Sequence, residues 1–282
     1  MLFMRIAPYW KREQREIAGM RMKLRSFSFC SQEEACARLE AKAQLLQEFY
    51  SGTRSPREAE QLRRRLRELN EQAEGYSVVV AEARLEELDE HNIITRNRYG
   101  VEVLNSADTC FLDVDTFPAG LAERLLSLLG KRFSDEERLL KTARRLCAEH
   151  EQLAMRVYRT ARGWRIMAEA PGLSPDSPLA QQLMKALHVD ALYADLCRKQ
   201  ACWRARLTPK PHRAGMPCAY PHPAEPGELT AEAEEWLAAY RAKCEGMAVC
   251  RLVDTFGPAI HSRVVQEHDA RTLALKLDLR LV

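Results

Sequence analysis

Two aspartates, Asp113 and Asp115, stand at the end of a hydrophobic segment, residues 111–114. Side chains alternate faces along a strand, so the two carboxylates would project together while Leu112 and Val114 enter the core behind them. Carboxylate oxygens suit Mg²⁺ or Mn²⁺, and a cation between the two groups would relieve their repulsion. The spacing therefore predicts a Mg²⁺ or Mn²⁺ site at a strand end. The alternative is two solvated acids at a turn.

A second group of side chains that could bind a ligand lies in a segment whose only charged residues are arginines. Residues 155–160 and 164–168 flank a turn containing Gly163, which predicts a hairpin with a positive φ at that glycine. Guanidinium groups bind phosphate through paired hydrogen bonds. Phosphate binding is predicted for Arg159, Arg162 and Arg165. The alternative is a structural network in which these residues and Arg156 pair with Asp113, Asp115 or surface acids.

A third group is a basic stretch without acidic residues between Asp195 and Glu225. Prolines at 209 and 211 exclude a helix, so the charges are displayed on an extended loop. Basic residues interleaved with aromatic ones can follow a phosphate backbone and stack on bases. Nucleic-acid binding is therefore predicted for Arg204, Arg206 and Lys210.

The same stretch contains thiols and imidazoles, the side chains that bind zinc: Cys197, Cys202, His212, Cys218 and His222. Their spacing lacks the closely paired cysteines of common zinc sites. Zinc is therefore not expected, and the side chains are interpreted as buried thiols and surface histidines.

Composition limits the class of protein. The chain has 282 residues, 46% hydrophobic and 29% charged, with a net charge of +3, which is typical of a soluble globular protein with one large domain or two modest ones. No segment is long and apolar enough to span a bilayer, and the first twenty residues lack the apolar block of a secretory signal. We expect a cytoplasmic protein without a membrane partner, whose nine cysteines remain thiols.

The periodicity predicts an α+β fold: a mainly antiparallel sheet with flanking helices. Residues 1–90 are predicted to be α-rich, and residues 91–282 to form the α+β core that carries the aspartate strand and the basic hairpin. A hairpin is predicted over residues 93–105, with the aspartate strand as the third strand of a meander. Helices are predicted over the following ranges: 31–50, 57–74, 83–90, 119–129, 134–147, 177–187, 190–202, 230–246 and 258–279.

The order of these features resembles the archaeo-eukaryotic primase and primase-polymerase superfamily over residues 93–256. In that family paired aspartates bind divalent metal, a Ser/Thr-Gly-rich turn followed by histidine holds the nucleotide phosphates, and a third acid completes the site. Residues 111–115 match the first motif. Residues 160–166 resemble the second, with Arg165 in the place of the histidine, and residues 252–254, a strand ending in Asp254, would be the third. The resemblance implies catalytic roles for Asp113, Asp115 and Asp254.

The sequence thus predicts a metal-dependent nucleotide-binding protein, and the resemblance implies a primase-polymerase-like nucleotidyltransferase acting on nucleic acid. The alternative is a non-catalytic nucleic-acid-binding protein with a degenerate primase-like site, since Arg165 cannot switch protonation near neutrality as histidine does.

Two other Asp-x-Asp classes fit less well. A haloacid dehalogenase phosphatase would have threonine where Phe117 stands. A glycosyltransferase that binds a sugar nucleotide would be expected to have a dinucleotide-type glycine loop before the motif, and this sequence has none there.

Overall fold

The computed structural model describes residues 4, 6–52, 55–70, 72–73, 76–77, 80, 82–118, 133–221 and 229–282. The N-terminal elements are, in order, β1 (Tyr9–Ile17), β2 (Met20–Ser28), α1 (Gln32–Tyr50), α2 (Pro56–Asn70), β3 (Gln72–Ala73) and β4 (Tyr76–Ser77). The next are β5 (Ala83–Asp89), β6 (Asn92–Arg96), β7 (Glu102–Ser106), β8 (Cys110–Val114), α3 (Asp135–Glu149), β9 (Ala154–Thr160) and β10 (Trp164–Glu169). The last are α4 (Pro178–Ala186), α5 (Ala191–Gln200), β11 (Trp203–Arg206), α6 (Ala231–Cys244), β12 (Met247–Ala248), β13 (Cys250–Phe256), α7 (Arg263–Thr272) and β14 (Arg280–Leu281).

The predicted α+β class is confirmed, because two four-stranded antiparallel sheets carry the core. The first sheet has the strand order β11-β7-β6-β5, and the second has the order β13-β9-β10-β8. The two predicted hairpins are present as β6–β7 in the first sheet and β9–β10 in the second. The predicted meander is wrong: β8 pairs with β10, and β11 takes the edge of β7. The short connections between β6, β7 and β8 favoured a meander, but β8 pairs with β10, which lies much later in the chain.

The N-terminal region contains a long hairpin, β1–β2, in addition to its helices. The turn between the strands is Ala18-Gly19, and both residues have positive φ, 48° and 77°. Apolar residues of the hairpin, Ile17 and Leu24, pack against Leu39 of α1. Ser31 caps α1 by accepting a hydrogen bond from the Glu34 backbone nitrogen at 3.2 Å. The sequence predicts a short basic strand over residues 21–29, which β2 confirms, but it does not predict β1.

Three other predicted helices have different outcomes. Residues 83–89 were predicted to be helical from their charges, but they form β5, because pairing with β6 buries part of the segment. Through β5 the region 1–90 contributes a strand to the first sheet. The C-terminal helix is shorter than predicted and covers only Arg263–Thr272, since Leu273 adopts the left-handed conformation (φ 57°) that ends it. The predicted helix 119–129 lies outside the described residues.

The main core packs against both faces of the second sheet, and α3 covers one of them. Leu139 and Leu146 of α3 are fully buried, in the same core cluster as Leu112, Val157 and Ile166 from successive strands. A capping box between Ser134 and Glu137 begins α3. Asp113 lies on the opposite face, because it follows the inward Leu112 in the strand. No described helix is long and apolar enough to cross a membrane.

Candidate functional site

Asp113 is paired with a buried arginine. The register of β8 and β10 places Asp113 directly opposite Arg165. Arg165 donates from Nε to Oδ1 of Asp113 at 2.8 Å and from Nη2 to Oδ2 at 3.3 Å. The Arg165 side chain is 1% exposed, whereas that of Asp113 is 57% exposed. Burial by itself would raise the pKa of the Asp113 carboxyl, but attraction and hydrogen bonding from Arg165, with help from Arg206, lower it.

Arg165 also holds the edges of the two sheets together. Its Nη1 donates to the backbone oxygen of Arg206 on β11 at 2.8 Å. The Tyr193 hydroxyl reaches the same junction, 2.5 Å from the Phe111 oxygen and 3.4 Å from the Arg204 oxygen. The guanidinium of Arg165 is therefore engaged by protein groups on both sides, which is the structural arrangement that the sequence left as an alternative to phosphate binding.

Asp115 lies beside the β9–β10 turn and is exposed. A Cβ atom at Gly163 would come within 2.2 Å of the Val114 oxygen and 2.8 Å of the Asp115 Cα. Gly163 is thus required by this close approach, and the expectation of a positive φ there is wrong, since its φ lies outside the left-handed region. The turn is closed by Thr160, whose Oγ1 accepts from the Gly163 nitrogen at 3.1 Å.

Asp254 is not brought together with the other two aspartates. It lies on β13, opposite Val157 of β9, and β9 and β10 separate β13 from β8. Three interstrand spacings correspond to about 14 Å. No group of three His, Cys, Asp or Glu side chains in the described part of the chain is arranged to hold a metal ion. The acids present therefore do not fit the three-acid metal site that the resemblance implies.

The remaining hairpin arginines have different environments. Arg156 belongs to a buried network on α7, described below. The guanidinium carbon of Arg159 lies 4.4 Å from the Trp164 ring centroid, and its Nη1 lies 4.0 Å from Glu136 Oε2. Arg162 is exposed at the turn and pairs with no carboxylate of the described residues.

The basic stretch brings further cations to Asp113. Its charges are not all on an extended loop as predicted, because Arg204 and Arg206 lie on β11 and, of the three predicted residues, only Lys210 lies in the loop that follows, here called the basic loop. Arg204 donates from Nη2 to both carboxylate oxygens of Glu82, at 2.8 and 2.7 Å. Arg206, two residues on, makes no ion pair within the described chain, and its buried Nε has no hydrogen-bond partner there. Burial and repulsion from Arg165 lower the pKa of Arg206 to about 10, although Asp113 opposes this shift.

Lys210 completes this arrangement. Its pKa is lowered by burial and then by repulsion from three arginines, Arg206, Arg213 and Arg162. The four cations Arg162, Arg206, Lys210 and Arg213, here called the loop cluster, therefore converge from the β9–β10 turn, β11 and the basic loop. Asp113 is the acid that attracts Arg206 and Lys210, and its carboxylate is already bound by Arg165.

Arg206 of the loop cluster lines a cleft with a cavity of about 430 Å³. Asp113, Arg204 and Arg206 line one side. The other lining residues include four that the sequence did not single out: Arg12, Arg25, Arg98 and Tyr99. Arg25 fell within a predicted basic strand, and the Ala18-Gly19 dipeptide could have indicated the hairpin that also carries Arg12. No local signal places that hairpin at the cavity that Arg204 and Arg206 line.

The contrast to the cleft is a polar network beneath α7. Arg156 donates from Nε to the Tyr158 hydroxyl at 2.7 Å and from Nη2 to Asp269 at 2.5 Å. The Tyr158 hydroxyl donates to Asp269 Oδ1 at 2.8 Å, and His268 Nδ1 lies 3.0 Å from the same oxygen. Burial lowers the pKa of His268 against the opposing effect of Asp269. Cys250 lies 4.0 Å from His268 Nε2, but burial raises its pKa to about 11, so it remains a neutral thiol.

The residues considered as zinc ligands differ in burial. Cys197 and Cys202 are buried, and burial raises their pKa values to about 12 and about 11. His212 and Cys218 are exposed, and His222 lies outside the described residues.

No protein-family model matches the chain, and no match was found among curated proteins or solved structures. The primase resemblance therefore rests on the residues of this chain, and any function drawn from it is a proposal.

Proposed function

We propose that the protein binds nucleic acid through the phosphate backbone, with the loop cluster as the principal contact. The observation that carries this proposal is that Arg162, Arg206, Lys210 and Arg213 converge without a carboxylate partner among the described residues. Arginines elsewhere in the same sheets, such as Arg204 and Arg156, are paired with acids. Clustered cations that repel one another bind a polyanion favourably, because each phosphate relieves that repulsion.

The test is the salt dependence of binding. Fluorescence anisotropy with labelled DNA and RNA oligonucleotides, from ~50 to ~300 mM NaCl, should give a linear decrease of log affinity with log salt. Each of Arg206→Gln and Lys210→Gln should weaken binding about tenfold and make the salt slope shallower by about one. Neither change should lower the melting temperature, since neither side chain makes an ion pair in the described chain.

Arg145→Gln is the matched control. Arg145 lies on α3, across the second sheet from Asp113, and its guanidinium pairs with Glu149 at 2.8 Å. The substitution removes the same charge and should leave affinity and salt slope unchanged. Absence of oligonucleotide binding by the folded protein, or equal losses in Arg145→Gln and Arg206→Gln, would contradict the proposal.

A second candidate function is metal-dependent nucleotidyl transfer, favoured by the exposure of both Asp113 and Asp115 next to these cations. Calorimetric titration with a nucleoside triphosphate, with and without Mn²⁺, separates the two functions. Asp115→Asn is the informative variant, because Asp115 forms no ion pair within the described residues and its loss should not unfold the protein. Metal-dependent nucleotide binding that disappears in Asp115→Asn would support transfer, whereas nucleic-acid binding that is indifferent to Mn²⁺ and to Asp115→Asn supports the first proposal.

A further inference from the structure

The β1–β2 hairpin places two arginines directly opposite each other at the cleft. Arg12 and Arg25 are partners in the register of the strands, and both line the cavity that Asp113 and Arg206 line from the other side. Like charges directly opposite in an antiparallel pair are destabilising. Neither side chain pairs with a carboxylate in the described part of the chain. The guanidinium carbon of Arg12 is instead 4.2 Å from the Trp10 ring centroid.

A third arginine reaches the same end of the cavity. Arg98 lies on the β6–β7 turn; burial, then the charges of Arg25 and Arg98, lower the pKa of Arg12 to about 10. Three cations from two separate elements therefore face one space. The two carboxylates that also line the cavity, Glu82 and Asp113, are bound by Arg204 and Arg165. An anion at this end of the cleft would relieve the repulsion among the three arginines, at a position distinct from the loop cluster.

The turn that carries Arg98 also carries an exposed aromatic ring. Tyr99 is 54% exposed and lines the cavity. The turn is rigid: Asn97 Oδ1 accepts from the Tyr99 nitrogen at 2.9 Å and from the Val101 nitrogen at 3.2 Å. Gly100 has φ +80°, and a Cβ there would lie 2.6 Å from the Trp236 ring. Packing on α6 thus fixes the turn, so Tyr99 is presented to the cleft without a large entropic cost of ordering.

The size of the cavity restricts the ligand. A volume of about 430 Å³ is that of a pocket for a nucleotide-sized molecule. A double helix, about 20 Å across, cannot enter it, whereas one nucleotide of a single strand can. An exposed aromatic ring among cations is the combination that holds single strands, since the ring stacks on a base while the cations hold phosphates.

We propose that the N-terminal hairpin is a clamp for single-stranded nucleic acid, in which Arg12 and Arg25 hold one phosphate and Tyr99 stacks on the adjacent base. This inference rests on the proposed function, because it takes the loop cluster to hold the neighbouring part of the same strand. It assigns a role to the hairpin, for which the sequence indicated none.

The experiment compares single-stranded and duplex oligonucleotides of equal length by anisotropy at constant salt. The intact protein should bind the single strand about tenfold or more tightly than the duplex. Arg12→Gln and Arg25→Gln should each weaken single-strand binding about tenfold, and Tyr99→Ala should do the same while Tyr99→Phe retains binding. Differential scanning fluorimetry should show that Arg25→Gln does not lower the melting temperature, because the substitution removes a like-charge pair.

Arg21→Gln is the control, since Arg21 is exposed at the far end of the same hairpin, opposite Glu16. It should change neither affinity nor strand preference. Equal binding of single strand and duplex, equal binding of a poly-glutamate peptide, or unchanged affinity in Arg12→Gln and Arg25→Gln would overturn the clamp. If Arg206→Gln still weakens binding in that case, the proposed function stands and only the clamp is wrong; if Arg206→Gln also has no effect, both are wrong.

Discussion

The α7 network and the cleft both bring several charged side chains together, but their charges are satisfied differently. In the network Arg156 meets Asp269, and Tyr158 and His268 complete the hydrogen bonding of that carboxylate. In the cleft Asp113 and Glu82 are bound by Arg165 and Arg204, but Arg12 and Arg206 are repelled by neighbouring arginines. A charge that is buried and paired costs stability when its partner is removed, whereas an unpaired cation costs little to remove. The α7 network therefore stabilises the fold, whereas the cations of the cleft can bind an anion.

The largest expected effect is on the network. Asp269→Ala should lower the free energy of unfolding by about 3–5 kcal/mol, because Arg156 is left with a buried and uncompensated charge. Urea denaturation measures the change. Asp254→Ala is the control, since that half-buried carboxylate accepts only a hydrogen bond from the Thr255 nitrogen within the described structure, and it should cost less than about 1 kcal/mol. Equal losses for the two variants would remove the distinction between the regions.

The next effect concerns Asp113, which lines the cleft and is paired with the buried Arg165. Asp113→Asn should lower the free energy of unfolding by about 2 kcal/mol, less than a fully buried pair, because the carboxylate is more than half exposed to solvent screening. Chemical denaturation with Asp115→Asn as the comparison tests this, and Asp115→Asn should remain within about 0.5 kcal/mol of the parent. A stable Asp113→Asn protein would show that Arg165 does not depend on this ion pair.

The smallest effect is a pH dependence. The folded protein holds the pKa of His268 below its usual value of about 6.5, so as pH falls below 6.5 the unfolded chain takes up a proton that the folded one does not. Stability should be complete near neutrality and fall by up to about 2 kcal/mol between pH 7 and 5.

His268→Gln should flatten this slope between pH 7 and 5, and His212→Gln, an exposed histidine, should keep it. Melting temperatures across that pH range measure the slope. Below about pH 4 a second loss is expected in both variants, since the pKa of Asp113 is held low and its stabilisation disappears on protonation. A flat profile for the parent protein would show that folding does not lower the pKa of His268.

Local signals predicted much of the secondary structure. The β6–β7 and β9–β10 hairpins and the capped helices α1 and α3 were identified from alternation, turn residues and caps, which act between neighbours in the chain. The same signals misassigned β5 and missed β1, because a charged strand at a sheet edge has no pattern that distinguishes it from a helix until its partner is known.

The sequence by itself determined which chemistry was available: an Asp-x-Asp strand end, an arginine hairpin and a basic loop. Only the tertiary structure decided how these groups were combined. The β8–β10 register committed Arg165 to Asp113, strand order kept Asp254 away, and packing of the N-terminal hairpin brought Arg12 and Arg25 to Arg206. Pairing between segments some fifty to two hundred residues apart depends on the burial of the whole core, and no local periodicity encodes it.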